Sequence, residues 1–243
     1  MEVPVKNLVE TVDLTAEDVL LPMLECVVNS IISLQKSQLP ANEKKIQIQI
    51  TRGDLPEKLN FDNVKTISGF KVIDNGVGFN NNNYKSFQTP FSQINKDFGC
   101  KGIGRFTVLA AYKDFLVDSN YLEDTTWYIR KFRFSTEKEL EIIEFGNSQA
   151  EQAKTVVEIQ NCTNHILIEK SAISLLQISE SIMQHCFIYY LNNSLPRIEV
   201  IDLENNEVEV INELFQKVSK EKERDFSLKE EDFKFYINSV LNV

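Results

Sequence analysis

The sequence predicts an α+β protein built on a mixed, largely antiparallel sheet, and three observations carry that reading. Between Phe115 and Gln160 four β-rich pieces, FLVDS, TWYIRKFRF, LEIIEF and KTVVEI, are separated by polar turns. Upstream, Lys45 to Ile50 alternates with period two, which puts Ile46, Ile48 and Ile50 on one face of a strand. Before that strand, Val19 to Leu34 carries apolar residues at helical spacing.

Taken in order, the elements begin with Thr15 and Asp18, which have the spacing of a capping box, and Pro22, which opens or kinks the helix that follows. A loop containing Gly53 and Pro56 follows the first strand. Phe70 to Asp74 is a short apolar strand running into NGVGF, where Asn75-Gly76 and Gly78 are turn formers. Asn80 to Phe98 is a polar stretch of nineteen residues with four consecutive asparagines, and is read as a mobile functional loop. Ile103 to Tyr112 regains helical spacing. After the four β-rich pieces come a long helix over Ser171 to Leu191, a strand at Arg197 to Asp202 and a hairpin around Glu204 to Asn206. The densely charged Lys217 to Glu230 reads as a solvated linker or exposed helix. The expected division is a first domain over residues 1–165 and a smaller C-terminal α/β segment over 166–243.

Composition narrows the function classes. The chain has 243 residues, of which 42% are hydrophobic, enough for a sizeable core. Its 26 basic and 36 acidic residues sum to −10, so nucleic-acid binding is not indicated by overall charge. No run of 18 apolar residues occurs and MEVPVKNLVE lacks the plan of a secretory signal, so no membrane association and a cytoplasmic location are expected. Cys26, Cys100, Cys162 and Cys186 form no CxxC, and His165 and His185 have no metal-ligand spacing. Buried, inert cysteines are the better reading.

Three segments carry chemistry in combination. In ECVVN, the spacing of four puts Glu25 and Asn29 on one helix face, about 5 to 6 Å apart at Cβ. Among apolar neighbours they need polar partners, such as a magnesium nucleotide; the alternative is the exposed polar edge of an amphipathic helix. In VIDNGVG, Asp74 ends a strand and Gly76 and Gly78 permit close approach of a ligand. A plain Asn-Gly turn explains Asn75-Gly76 but neither Asp74 nor Gly78. In GCKGIGRF, residues Gly99, Cys100, Lys101, Gly102, Ile103, Gly104 and Arg105 open an apolar helix. Glycine-rich backbone at a helix N-terminus is an anion site, to which Lys101 and Arg105 add positive charge. The segment matches neither a Walker A loop nor a dinucleotide fingerprint.

The order E-x-x-x-N on a helix, D-x-G-x-G after a strand, then a long loop ending G-x-x-G-x-G resembles the GHKL superfamily of gyrase, ninety-kilodalton heat-shock chaperones, histidine kinases and MutL. The resemblance covers roughly residues 10–162, and the spelling GCKGIGRF is most similar to bacterial ATP-binding proteins and MORC-type ATPases. It implies a Bergerat-type two-layer α/β sandwich that binds ATP with Mg²⁺. Carried over to this chain, Asp74 would accept from the adenine amino group, with Thr155 and a water completing the base site. Asn29 would ligate Mg²⁺, and Glu25 would orient or deprotonate the attacking water. Gly99, Gly102 and Gly104, with Lys101, would wrap the triphosphate.

The resemblance also implies slow ATP hydrolysis, with lid closure coupled to conformational change or homodimerisation. This chain departs from the pattern in having Lys154 where a glycine is usual and Ile32 where many relatives carry aspartate. Histidine kinases typically have asparagine or histidine in place of Glu25 and need an upstream phosphoacceptor histidine, whereas residues 1–24 contain none. An ATPase is the favoured reading; the alternative is a nucleotide-gated binding module without significant turnover.

Overall fold

A computed structural model describes residues 4–54, 65–92 and 102–225, the side chains of 219–225 excepted. The chain divides into two compact units, Met1–Ile211 and Asn212–Val243. The first is an α+β structure, as the sequence predicts. Its helices are α1 (Val5–Glu10), α2 (Leu21–Gln35), α3 (Asn81–Gln88), α4 (Gly104–Ala111), α5 (His165–Lys170), α6 (Leu175–His185) and α7 (Phe187–Leu191). Its strands are β1 (Lys45–Gly53), β2 (Thr66–Asp74), β3 (Tyr112–Glu123), β4 (Thr126–Ser135), β5 (Glu139–Asn147), β6 (Lys154–Cys162), β7 (Arg197–Asp202) and β8 (Val208–Val210). They form one sheet in the order β5-β4-β3-β6-β2-β1-β7-β8. Among the described residues β1 and β7 run parallel and the other neighbouring strands antiparallel. In the second unit the described residues belong to α8, which spans Ile211–Asp225. The expected division near residue 165 falls inside the first unit, because β7 and β8 continue the sheet beside β1.

Strand alternation decides which face is covered. A row of register partners, Val200, Ile48, Val72, Val157, Val117 and Phe132, crosses six strands, and each member is at most 9% exposed. The helices pack on this face, and burying so continuous an apolar row is the main drive for the fold. The opposite face carries cross-strand ion pairs, Lys71 with Glu158 at 3.2 Å and Lys131 with Asp118 at 3.2 Å. Apolar residues in and charged residues out is the pattern of a sheet covered on one side.

Thr15 and Asp18 form the expected capping box, on a 3₁₀ turn at Ala16–Asp18, and Pro22 sits in the first turn of α2, where it opens the helix without breaking it. Cys26 and Cys186 are buried free thiols, and burial raises both above the ordinary thiol range.

Three expectations need correction. The polar stretch from Asn80 is not simply a loop, since Asn81–Gln88 is helical. Asn80 caps that helix by accepting from the Asn83 N–H at 2.9 Å, and Tyr84 and Phe87, three positions apart, dock on the sheet end. The single helix over Ser171 to Leu191 is two helices, separated at Cys186 and begun by a Ser174–Gln177 capping box. Gly53 belongs to β1 and not to a following loop, while Pro56 lies outside the described residues.

A polar row beneath a glycine turn

One register step from the apolar row, the same covered face changes character. Asp74 on β2 pairs with Thr155 on β6, Thr155 with Ser119 on β3, and Ser119 with Arg130 on β4. All four are at most 4% exposed. Ile46 flanks the row at one end and Phe145 at the other. Four adjacent polar side chains in a buried layer must satisfy one another or a ligand, because an unpaired buried polar group costs about 1–3 kcal/mol.

The Asp74 carboxylate is held from α2 and from its own turn. Ser30 donates to Oδ2 at 2.8 Å, the Gly76 N–H donates to Oδ1 at 2.9 Å, and the Ser33 side chain adds a third hydrogen bond. Burial nevertheless pushes its pKa up to about 6, the three donors only partly offsetting desolvation. A carboxylate has about four lone-pair sites, so three donors leave capacity for one more.

The glycines serve these contacts. A Cβ on Gly76 would collide with Ser33, whose carbonyl also accepts from the Val77 N–H at 3.4 Å. Gly78 has φ +65°, and a Cβ there would lie 2.7 Å from Ser119 Oγ and 3.3 Å from Thr155 Oγ1. The close approach that requires glycine is therefore between the turn and the protein's own hydroxyls. Asn75 is used structurally: its side chain accepts from the Lys45 N–H and donates to the Glu43 carbonyl.

Phe79, the next residue, is captured at both backbone groups. Its N–H donates to Ser119 Oγ at 3.0 Å, and its carbonyl accepts from Arg130 at 2.5 Å. Arg130 also donates to Asn81 Oδ1 at 2.7 Å, and its guanidinium lies over Tyr84 at 4.4 Å and Phe145 at 4.8 Å. The polar row thus reaches from the base of α2 to the start of α3.

Glu25 is half-buried and Asn29 exposed on α2. The Glu25 carboxylate lies against Gly104, the first residue of α4, so closely that a Cβ there would collide with it. Carboxylate and helix N-terminus are a favourable electrostatic pair. Gly102 has φ +71° and backs onto Phe91 and Ser92, with a Cβ only 2.7 Å from the Ser92 nitrogen. Ile103 is the residue before the helix, and its carbonyl accepts from the Phe106 N–H at 2.8 Å. Arg105 is 9% exposed; it donates to the Gly102 carbonyl at 2.9 Å and stacks over Phe106 at 4.4 Å, and burial lowers its pKa to about 10. Its charge is committed to holding this loop. Gly99, Cys100 and Lys101 lie outside the described residues.

The structure therefore brings Asp74, Gly76, Gly78 and Thr155 together, and sets Glu25 against Gly104. Sequence reasoning missed Ser30, Ser33, Ser119 and Arg130. The signal was available for two of them: Phe115, Val117 and Ser119 on β3, and Arg130, Phe132 and Phe134 on β4, fall at alternate, inward positions. A polar residue at an inward position of a strand breaks the alternating pattern and must find a hydrogen-bond partner there. Among the described residues no group of three or more His, Cys, Asp and Glu side chains could hold a metal ion, and no helix is long and apolar enough to cross a membrane. No protein-family model matches the chain, and no curated protein matches it.

Proposed function

We propose that the chain binds ATP with Mg²⁺ and hydrolyses it slowly, as a GHKL-type ATPase whose base site is the Asp74–Thr155 pair. The observation that carries this reading is the buried Asp74 carboxylate, three-quarters satisfied by Ser30, Ser33 and Gly76, with Thr155 beside it in register. An exocyclic amino group donating to the remaining acceptor position completes the carboxylate. Helix α2 serves both halves of the site, since Ser30 and Ser33 hold Asp74 while Glu25 reaches Gly104.

The donor set fits a magnesium nucleotide. Asn29, exposed on the helix that carries Glu25, offers one amide oxygen, and a hard cation accepts such a ligand alongside phosphate oxygens and water. When bound, Mg²⁺ neutralises charge on the phosphates. Gly104 and Gly102 open α4, whose N-terminal N–H groups favour anions. In hydrolysis, Glu25 takes a proton from water as its oxygen bonds to the γ-phosphorus and the bond to the ADP oxygen breaks. Lid closure over the nucleotide and homodimerisation belong to the same reading.

Calorimetry with Mg·ATP tests it. Replacing Asp74→Asn turns one acceptor into a donor aimed at the amino group. Affinity is expected to fall about ten- to a hundredfold, corresponding to about 1.5–3 kcal/mol for a hydrogen bond to a charged group. Unchanged affinity in Asp74→Asn would refute the base site.

A further inference from the structure

Among the described residues the sheet ends on β8 at one side and on β5 at the other, and the two edges differ. β8 is three residues long, whereas β5 runs for nine, ELEIIEFGN, without a proline or a lysine. A long edge lacking those guards is open to pairing with another strand. Ile142, Ile143 and Phe145 on β5 are 47%, 56% and 56% exposed, which leaves three large apolar side chains in solvent within four residues. Tyr121 on β3, Tyr128 on β4 and Phe145 form a stacked series, with ring centroids 5.8 Å and 6.2 Å apart. Tyr121 is fully buried, so the series is closed at β3 and open at the edge.

Charge limits what can pair there. A second copy running antiparallel would bring Glu141 and Glu144 against their own counterparts, and like charges facing across strands are unfavourable. A strand of opposite charge meets no such barrier, and β4 shows what β5 accepts. Arg133 stands opposite Glu141, Lys131 opposite Glu144, and Phe132 opposite Ile142. Lys131 reaches Glu144 at 3.4 Å, yet the Glu144 side chain stays 52% exposed and can meet a second cation.

We infer that β5 is a docking edge for a basic strand of another protein, one that, like β4, alternates lysine or arginine with apolar or aromatic residues. Main-chain hydrogen bonds to the outer side of β5 hold such a strand, and its side chains fall on the two faces in turn. On the polar face its cations meet Glu141 and Glu144; on the other its apolar residues continue the cover over Ile142 and Phe145. The net charge of −10 favours the approach of a basic partner. This docking is independent of nucleotide binding.

The probe is a ten-residue peptide with the β4 sequence, TWYIRKFRFS, and the control is the same peptide with its three basic residues replaced by glutamate. Titrated into the full chain without nucleotide and followed by NMR, the basic peptide is expected to shift the amides of residues 141–146, and the control to bind at least about tenfold more weakly. Glu141→Lys combined with Glu144→Lys is expected to invert that preference, and Phe145→Ser to weaken the basic peptide about threefold or more. If the double variant does not fold, Glu144→Gln alone is expected to weaken it about twofold.

No binding of the basic peptide, equal binding of the control, or affinity unchanged in the β5 variants would each overturn the assignment. So would shifts centred on β3, which would mean that the peptide displaces β4. A parent chain that sediments as a dimer without nucleotide, and as a monomer in Phe145→Ser, would give the edge to a second copy and overturn it as well.

Discussion

At the scale of single residues, Asp74 sets the pH behaviour. Its folded-state pKa is raised to about 6, above the ordinary carboxylate value, so the folded chain holds that proton more tightly than the unfolded chain does. The contribution of Asp74 to stability is therefore largest below about pH 4 and is lost as pH rises through about 6. The loss is about 3 kcal/mol at 1.36 kcal/mol per pH unit. Binding has the opposite dependence, because the ionised carboxylate is the form that accepts from the base. Affinity for Mg·ATP is expected to fall toward tenfold per pH unit below about pH 6; a flat calorimetric profile between pH 5 and about pH 7.5 would contradict an ionised Asp74 at the base. Glu25 carries a different expectation. Glu25→Ala should leave Mg·ATP binding intact while lowering turnover about a hundredfold or more, read as phosphate release. Equal release from parent and variant would remove Glu25 as the base, and absence of release from the parent would favour the nucleotide-gated module.

At the scale of elements, α3 is defined by what it docks against. Four asparagines argue against a helix, since their side chains compete for the backbone, yet Asn80 uses that competition to cap. Tyr84 and Phe87 then join the aromatic group of Phe79, Phe132 and Phe134. Arg130 ties this helix to the glycine turn through the Phe79 carbonyl and Asn81. Arg130→Met retains bulk but removes the donor of the part-buried Phe79 carbonyl and of Asn81, so urea unfolding is expected to show a loss of about 1–3 kcal/mol. A loss below about 0.5 kcal/mol would place the anchoring of α3 in the aromatic contacts alone. Sequence alone could not reveal this, because the decisive partners, Asn81 and Arg130, lie far apart in the chain and meet only through the β3–β4 pairing.

At the scale of the molecule, alternation made the strands legible: β1, β2 and the run from β3 to β6 fall where period two and β-rich composition predict them. Register was not legible. Nothing in the order of residues says that Asp74 faces Thr155 across two strands, or that Ser119 and Arg130 extend the same row, since the pairing β3-β6-β2 skips β4 and β5. Likewise β7 reads as one arm of a hairpin around Glu204 to Asn206, which β8 completes, but only its parallel pairing with β1, Ile46 opposite Ile198, joins that hairpin to the sheet. The central claim is that a nucleotide base completes the polar row. Amide chemical shifts followed by NMR while Mg·ATP is titrated into the chain test it most directly. The largest changes are expected at Gly76, Gly78 and Thr155, with Asp74→Asn silencing them; shifts confined to residues away from that row, or none at all, would contradict the claim.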